Sequence, residues 1–256
     1  MRRNTVRETL ASGGVAVGTM VFEFNSTGIG HLAGEAGADF VIFDMEHTGW
    51  SIETIRMLVA TSRASKAIPM VRVPATQYHL ISRPLDVGAM GIMVPMVESV
   101  EQARLIAQSA KYAPEGSRGA AFTVAHDNYE GGAVSEKMAT ANQETLLIAQ
   151  IETAAGVECC EAIAAVDGID CLWVGHFDLS ISMGMPGQFE HPEFVAAIAR
   201  VAQAAQARGK AAGVMVADVE TGAFWRSLGY RAFAFGGDLW LYKSALQTGV
   251  EGMRRL

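Results

Sequence analysis

With 256 residues, 50% of them hydrophobic and only 18% charged, the chain can bury a large core, and this composition excludes a disordered protein. Twenty Lys and Arg against 27 Asp and Glu leave a net charge of −7, which repels phosphate backbones and gives nucleic acid no footprint. That charge does not repel a divalent cation. No apolar run approaches the roughly 18–20 residues that span a bilayer, so no membrane partner is expected.

The basic N-terminus, Met1 to Leu10, is followed by an apolar stretch broken at Ser12-Gly13-Gly14, which argues against a signal peptide. Strands are predicted where short β-branched or apolar runs recur: Val15–Val21, Phe40–Asp44, Ile68–Arg72, Gly91–Val94, Leu146–Ile151, Cys171–Val174, Ala211–Val214 and Arg231–Phe235. Segments of helical periodicity lie between them, among them Ser51–Ser65, Val100–Ser109, Glu158–Val166 and Pro192–Arg208. Eight strands alternating with helices in about 250 residues predict a single (β/α)8 TIM barrel over residues 1–256. An open doubly wound sheet is the competing fold, but no Gly-x-Gly-x-x-Gly follows the first strand.

The connection from Tyr112 to Glu144 carries Pro114, Gly116, Gly119, Gly131 and Gly132 and reads as a long functional or mobile loop. Cys159, Cys160 and Cys171 have neither disulfide nor zinc spacing and read as reduced structural thiols in a cytoplasmic protein. His31, His79, His126 and His191 read as surface residues rather than ligands. The last segment, Leu239–Leu256, presents an apolar stripe of Trp240, Leu241, Tyr242, Leu246, Val250 and Met253 that needs a covering partner.

Barrel active sites form where the strands end. Strand two ends in Asp44-Met45-Glu46-His47, strand three in Arg72, strand five in Gln150-Ile151-Glu152, and strand six in Gly175-His176-Phe177-Asp178. Alternation lets Gln150 and Glu152 share one face while Ile151 packs outward. Two carboxylates with open positions suit Mg²⁺ or Mn²⁺, to which a 2-oxo acid can add its carboxylate and keto oxygens. The ion would stabilise an enolate as a Lewis acid. Arg72 is placed to stabilise the enolate oxygen, and His47 has the pKa range to move a proton at neutral pH. Asp44 reads as an anchor for Arg72 or His47. Leu179-Ser180-Ile181-Ser182 is expected to open a short helix whose N–H groups receive the substrate carboxylate. The acidic Asp238 in Gly236-Gly237-Asp238 argues against a phosphorylated substrate.

Iminium chemistry requires a lysine at the mouth. Lys66 and Lys210 precede strands, Lys111 and Lys243 fall on helices, and Lys137 is in the long loop, so that route is disfavoured.

The segments Phe43-Asp44-Met45-Glu46-His47, Val71-Arg72-Val73-Pro74, Gly88-Ala89-Met90-Gly91-Ile92-Met93-Val94-Pro95, Gln150-Ile151-Glu152-Thr153 and Val174-Gly175-His176-Phe177-Asp178-Leu179-Ser180 resemble the HpcH/HpaI family of class II aldolases, over about Gly18 to Tyr242. The resemblance implies Mg²⁺, Mn²⁺ or Co²⁺ held by Glu152 and Asp178. It implies proton handling through water by His47 with Asp86 as its partner, Arg72 on the keto or enolate oxygen, and Gln150 near the metal. Phe177 joins Arg72, Gln150 and Asp178 in the expected substrate-binding set. Read from the residues alone, Asp86 is a helix-end charge. The implied reaction cleaves a 4-hydroxy-2-oxo acid to pyruvate, or a related 2-oxo acid, and an aldehyde. Oxaloacetate decarboxylation through the same enolate is the alternative, and a non-catalytic 2-oxo acid binder is the third reading. The resemblance also implies a homo-oligomer, a hexamer built from dimers that exchange the last helix. Two departures stand out. His176 replaces a proline usual in the family, and Met20-Val21-Phe22-Glu23-Phe24-Asn25 differs from the usual Gly-Leu-Ala-like run, which leaves acceptor specificity open.

Overall fold

The computed structural model describes residues 2–256. Eight strands, β1 (Ala16–Val21), β2 (Phe40–Asp44), β3 (Ile68–Arg72), β4 (Gly91–Val94), β5 (Leu146–Ile151), β6 (Cys171–Val174), β7 (Ala211–Val216) and β8 (Ala232–Gly237), run parallel and close into a barrel. The helices are α1 (Thr5–Ala11), α2 (Ile29–Glu35), α3 (Ile52–Ser62), α4 (Tyr78–Asp86), α5 (Val100–Ala110), α6 (Val134–Glu144), α7 (Ala154–Glu158), α8 (Cys160–Ala164), α9 (His176–Ser182), α10 (Pro192–Gln206), α11 (Val219–Ser227) and α12 (Asp238–Arg254). Strands two to six have the predicted bounds; β7 runs on to Val216 and β8 to Gly237. Among the described residues no helix is long and apolar enough to cross a membrane.

Strands buried on both faces read as continuous apolar runs because helices cover the outer wall and side chains fill the barrel. Val41 and Phe43 of β2 pack outward in the cluster that holds the helices, whereas Phe40 and Ile42 point into the barrel with Met70, Met93, Ile148 and Trp173. The interior mixes large and small residues: a Cβ on Gly213 would stand 2.2 Å from the Trp173 ring.

Three features differ from the sequence reading. First, residues 5–11 are not a mere basic terminus. Val6 and Leu10 of α1 join the barrel-interior cluster, and buried Asn4 donates from Nδ2 to the carbonyls of Met90 and Glu144, both at 2.9 Å. Helix α1 thus stoppers the end where strands begin. Second, the helix predicted over Glu158–Val166 is the shorter α8, and an unpredicted short helix, α7, precedes it and meets it at Cys159. Third, the segment between β4 and β5 is ordered and carries α6 and a 3-10 turn, Ala125–Asp127. Asp127 accepts the N–H groups of Thr123 and Val124 and ion-pairs with Lys137 at 2.6 Å. His126, expected at the surface, is buried beside Tyr112 and Phe122. The cysteines are free thiols, and burial pushes Cys160 and Cys171 above the ordinary thiol range, which leaves them unreactive.

Candidate active site

Asp44 and Arg72 are register partners at the ends of β2 and β3. Parallel pairing sets them side by side, both facing into the mouth. Arg72 donates from Nε to Asp44 Oδ1 at 2.5 Å, and Asp44 also accepts the backbone N–H of Glu46 (3.2 Å) and of His47 (2.9 Å). One fully buried carboxylate therefore anchors both the guanidinium and the turn that carries His47. The His47 side chain is 58% exposed, open to water at the rim.

Glu46 was not singled out by the sequence reading. Its Oε2 lies 3.2 Å from Arg72 Nη1 and 3.7 Å from His47 Nε2. The first distance makes an ion pair, but neither contact is aligned as a hydrogen bond, and this buried oxygen has no hydrogen-bond partner. Burial pushes the Glu46 carboxyl up to about 7, with Arg72 opposing and Asp44 and Asp178 adding to the rise.

Across the mouth, Gln150 and Glu152 share a face as alternation requires. Gln150 Nε2 donates to Glu152 Oε2 at 2.5 Å, and Met96 N–H donates to Oε1 at 2.7 Å. Glu152 is nonetheless pushed up to about 7, chiefly by burial, with Glu46 and Asp178 adding repulsion. Asp178 sits in the first turn of α9, exposed at the opening. Among the described residues no group of three or more His, Cys, Asp or Glu is arranged as a metal site. An ion held by Glu152 and Asp178 would therefore complete its shell with water and substrate oxygens, as Mg²⁺ commonly does. Glu46 and Glu152, both raised by burial and by neighbouring carboxylates that include Asp178, with one oxygen of Glu46 buried and orphaned, fit a cation.

Gly175 decides where Glu152 can point. A Cβ there would stand 2.2 Å from Glu152 Oε2 and 2.8 Å from Glu152 Cβ. Gly175→Ala should therefore displace the carboxylate and weaken Mn²⁺ binding by about 10–100-fold, the scale of lost ligand positioning, without unfolding the barrel. Calorimetric titration with Mn²⁺ checks this; unchanged affinity would show that Glu152 is not the ligand.

Two expectations are corrected. Helix α9 opens at His176, not at Leu179, whose N–H is already bonded to Gly175 O at 2.9 Å. Asp86 does not join His47 within the chain. It ends α4, which runs antiparallel to the strands, so it lies towards the end where they begin and pairs there with Arg118 at 2.7 Å. His176 packs among Phe177 (4.5 Å between ring centroids), Phe189 (5.2 Å) and Trp225 (6.3 Å). Burial lowers its pKa to about 4, so the ring is neutral. Phe177 is 57% exposed at the mouth, beside Asp178.

Lys111 has the lowered amine pKa, about 8 through burial, that iminium chemistry uses. It lies at the wrong end of the barrel, with Nζ donating to the carbonyls of Asn142 and Thr145 just before β5.

A family model described as HpcH/HpaI aldolase/citrate lyase matches residues 24–245. The chain belongs to the HpcH/HpaI family. It is 34% identical to a hydroxypyruvate/pyruvate aldolase of Roseobacter denitrificans, over 84% of this chain and 83% of that one. It is likewise 34% identical to a 5-keto-4-deoxy-D-glucarate aldolase of Escherichia coli K12, over 88% of this chain and 87% of the other. The crystal structure of an HpcH/HpaI aldolase from Desulfitobacterium hafniense superposes with a TM-score of 0.92 at 31% identity, covering 98% of this chain and 97% of that one. The HpcH/HpaI assignment makes the carboxylate-lined strand ends the place to look for aldolase/lyase chemistry.

Proposed function

We propose that this chain is a divalent-metal-dependent aldolase that cleaves a 4-hydroxy-2-oxo acid to pyruvate, or a close 2-oxo acid, and an aldehyde through an enolate. The observation that carries this reading is one guanidinium, Arg72, locked by Asp44 and flanked by Glu46, at the same mouth as the carboxylates of Glu152 and Asp178. Glu152 and Asp178 would hold Mg²⁺, Mn²⁺ or Co²⁺, which when bound supplies Lewis acidity toward the keto oxygen. Arg72 spends Nε on Asp44 and faces Glu46 with Nη1, and its remaining donors would serve the oxygen on which charge develops. Gln150 steadies Glu152. His47, held at the rim by its backbone bond to Asp44, relays a proton between water and substrate. Asp86 has no part in this step within one chain. Phe177 would border the acceptor side.

Pyruvate C3 deuterium exchange in D2O tests the proposal. Wild-type protein should exchange with Mn²⁺ and stop on chelation. His47→Ala should still bind Mn²⁺ and pyruvate while exchange falls by about 10²–10⁴-fold, the usual contribution of a general acid–base group. Wild-type exchange rates in the His47→Ala variant would overturn the assignment of the base, and exchange in metal-free protein would overturn the mechanism.

We also propose that α12 is covered by a neighbouring subunit in a homo-oligomer, as the resemblance implies. Only Asp238 of this helix is buried, and Trp240, Tyr242, Leu246 and Met253 stand open to solvent. Val17, on the outer wall of β1, is 43% exposed, so the barrel lacks cover where an eighth helix would pack.

A further inference from the structure

We infer that Asp238 is a positioning residue that presets the loop after β1 and, through Phe22, the guanidinium of Arg72. This rests on the enolate-forming role proposed above for Arg72. Asp238 is the first residue of α12 and is 7% exposed. A buried carboxylate must be compensated, and here three consecutive backbone donors do so. Oδ1 accepts the N–H of Phe22 at 2.9 Å, and Oδ2 accepts those of Glu23 at 3.0 Å and Phe24 at 2.6 Å. Both oxygens are engaged, so the loop is held at three successive residues rather than at one.

The clamp fixes a ring. Phe22 packs edge-on against Trp240 (5.0 Å), two residues along α12 from Asp238, and lies 5.7 Å from Arg72 Cζ. A guanidinium over a ring at that distance is attracted by the ring's quadrupole. Asp44 holds Arg72 from the β2 side through Nε, and Phe22 limits it from the β1 side. The side chain is thereby confined between a carboxylate and an aromatic wall. The wall is apolar, so this flank of the site takes the uncharged part of a substrate. The corner between β8 and α12, where barrels often bind phosphate, is filled by the protein's own carboxylate. Phe24 is tied in the same way, its ring meeting Tyr242 at 5.6 Å. The start of α12 and the guanidinium at the end of β3 are therefore linked by a short chain of contacts.

Asp238→Asn keeps the shape but replaces one accepting oxygen with an N–H₂ group, so whichever way the amide turns at least one of the three N–H groups loses its acceptor. The first readout is amide hydrogen exchange of residues 22–24 in the full-length protein, which needs no catalysis. Protection should fall at one or more of these residues in Asp238→Asn and be kept in Phe22→Ala at Phe24. The second readout is pyruvate C3 exchange with Mn²⁺. Each variant should lower its maximal rate by about 10–100-fold, the scale of a misplaced catalytic group. Pyruvate affinity should change less, and Phe22→Leu should recover part of the loss. The double variant should be no worse than the more impaired single one, since both act through one contact. Full protection in Asp238→Asn, or additive rate losses in the double variant, would overturn the inference. If wild-type protein exchanged no pyruvate protons, the enolate reading would fall with the role assigned to Arg72, and amide protection alone would decide whether the clamp exists.

Discussion

Glu152→Gln should abolish metal-dependent turnover, with a loss of about 10³-fold or more. Removing the charge removes the better-buried of two proposed ligands, and Lewis-acid stabilisation of several kcal/mol corresponds to roughly that factor at 1.36 kcal/mol per tenfold. The same variant separates binding from folding. Burial and neighbouring carboxylates hold Glu152 and Glu46 at about 7 in the metal-free protein, against an ordinary 4.5. The folded state then keeps these protons to a higher pH than the unfolded chain does. Rising pH between those two values therefore removes stability, while a cation, which needs the ionised form, binds more tightly. The melting temperature of metal-free protein should fall across that window, and the rise produced by Mn²⁺ should grow. Glu152→Gln should flatten both trends. Thermal melts at several pH values, with and without Mn²⁺, check this; a wild-type Mn²⁺ effect that shrank with pH would remove the proton–metal competition on which the assignment rests.

A chain ending at Asp238, and so lacking the rest of α12, should be recovered as aggregate or as dissociated, poorly stable subunits. The six apolar side chains of the stripe stand open in the isolated chain, and burying such a set contributes on the order of 10 kcal/mol. Ending at Asp238 keeps the carboxylate that accepts the loop N–H groups but removes Trp240 and Tyr242, which pack on Phe22 and Phe24. Full-length protein should scatter light as a multiple of two subunits. A monodisperse full-length monomer at micromolar concentration would refute the exchange of α12. Under that outcome α12 would have to fold back on the β1 wall.

The strands were legible because parallel strands covered on both faces leave short uninterrupted apolar runs, and β2 through β6 sit where those runs lie. Strand ends pointed to the site for the same reason. Once the barrel closes, Asp44, Arg72, Glu152 and Asp178 have only one opening to face. Local periodicity was weaker where tertiary contacts decide. It did not mark the break between α7 and α8, and it left α1 unseen because a short basic terminus carries no strong pattern. His126 reads as a surface histidine in sequence, but its segment folds so that the ring is buried against Tyr112 and Phe122.

What the sequence by itself determined was the barrel, the family and the set of strand-end groups, because each depends on local pattern and on residue types at fixed distances from a strand. Only the tertiary structure decided how those groups serve one another. Asp44 anchors Arg72 and the His47 turn together, because the register of β2 on β3 sets them side by side. Gly175 is required by an oxygen 23 residues earlier in the chain, and Asp238 clamps N–H groups at the other end of it, because closure brings β6 to β5 and β8 back to β1. Asp86, tied to His47 only by the family resemblance, lies within one chain at the far end of the barrel, paired with Arg118, as a helix end should. Such relations are set by long-range pairing, which no local window of sequence contains.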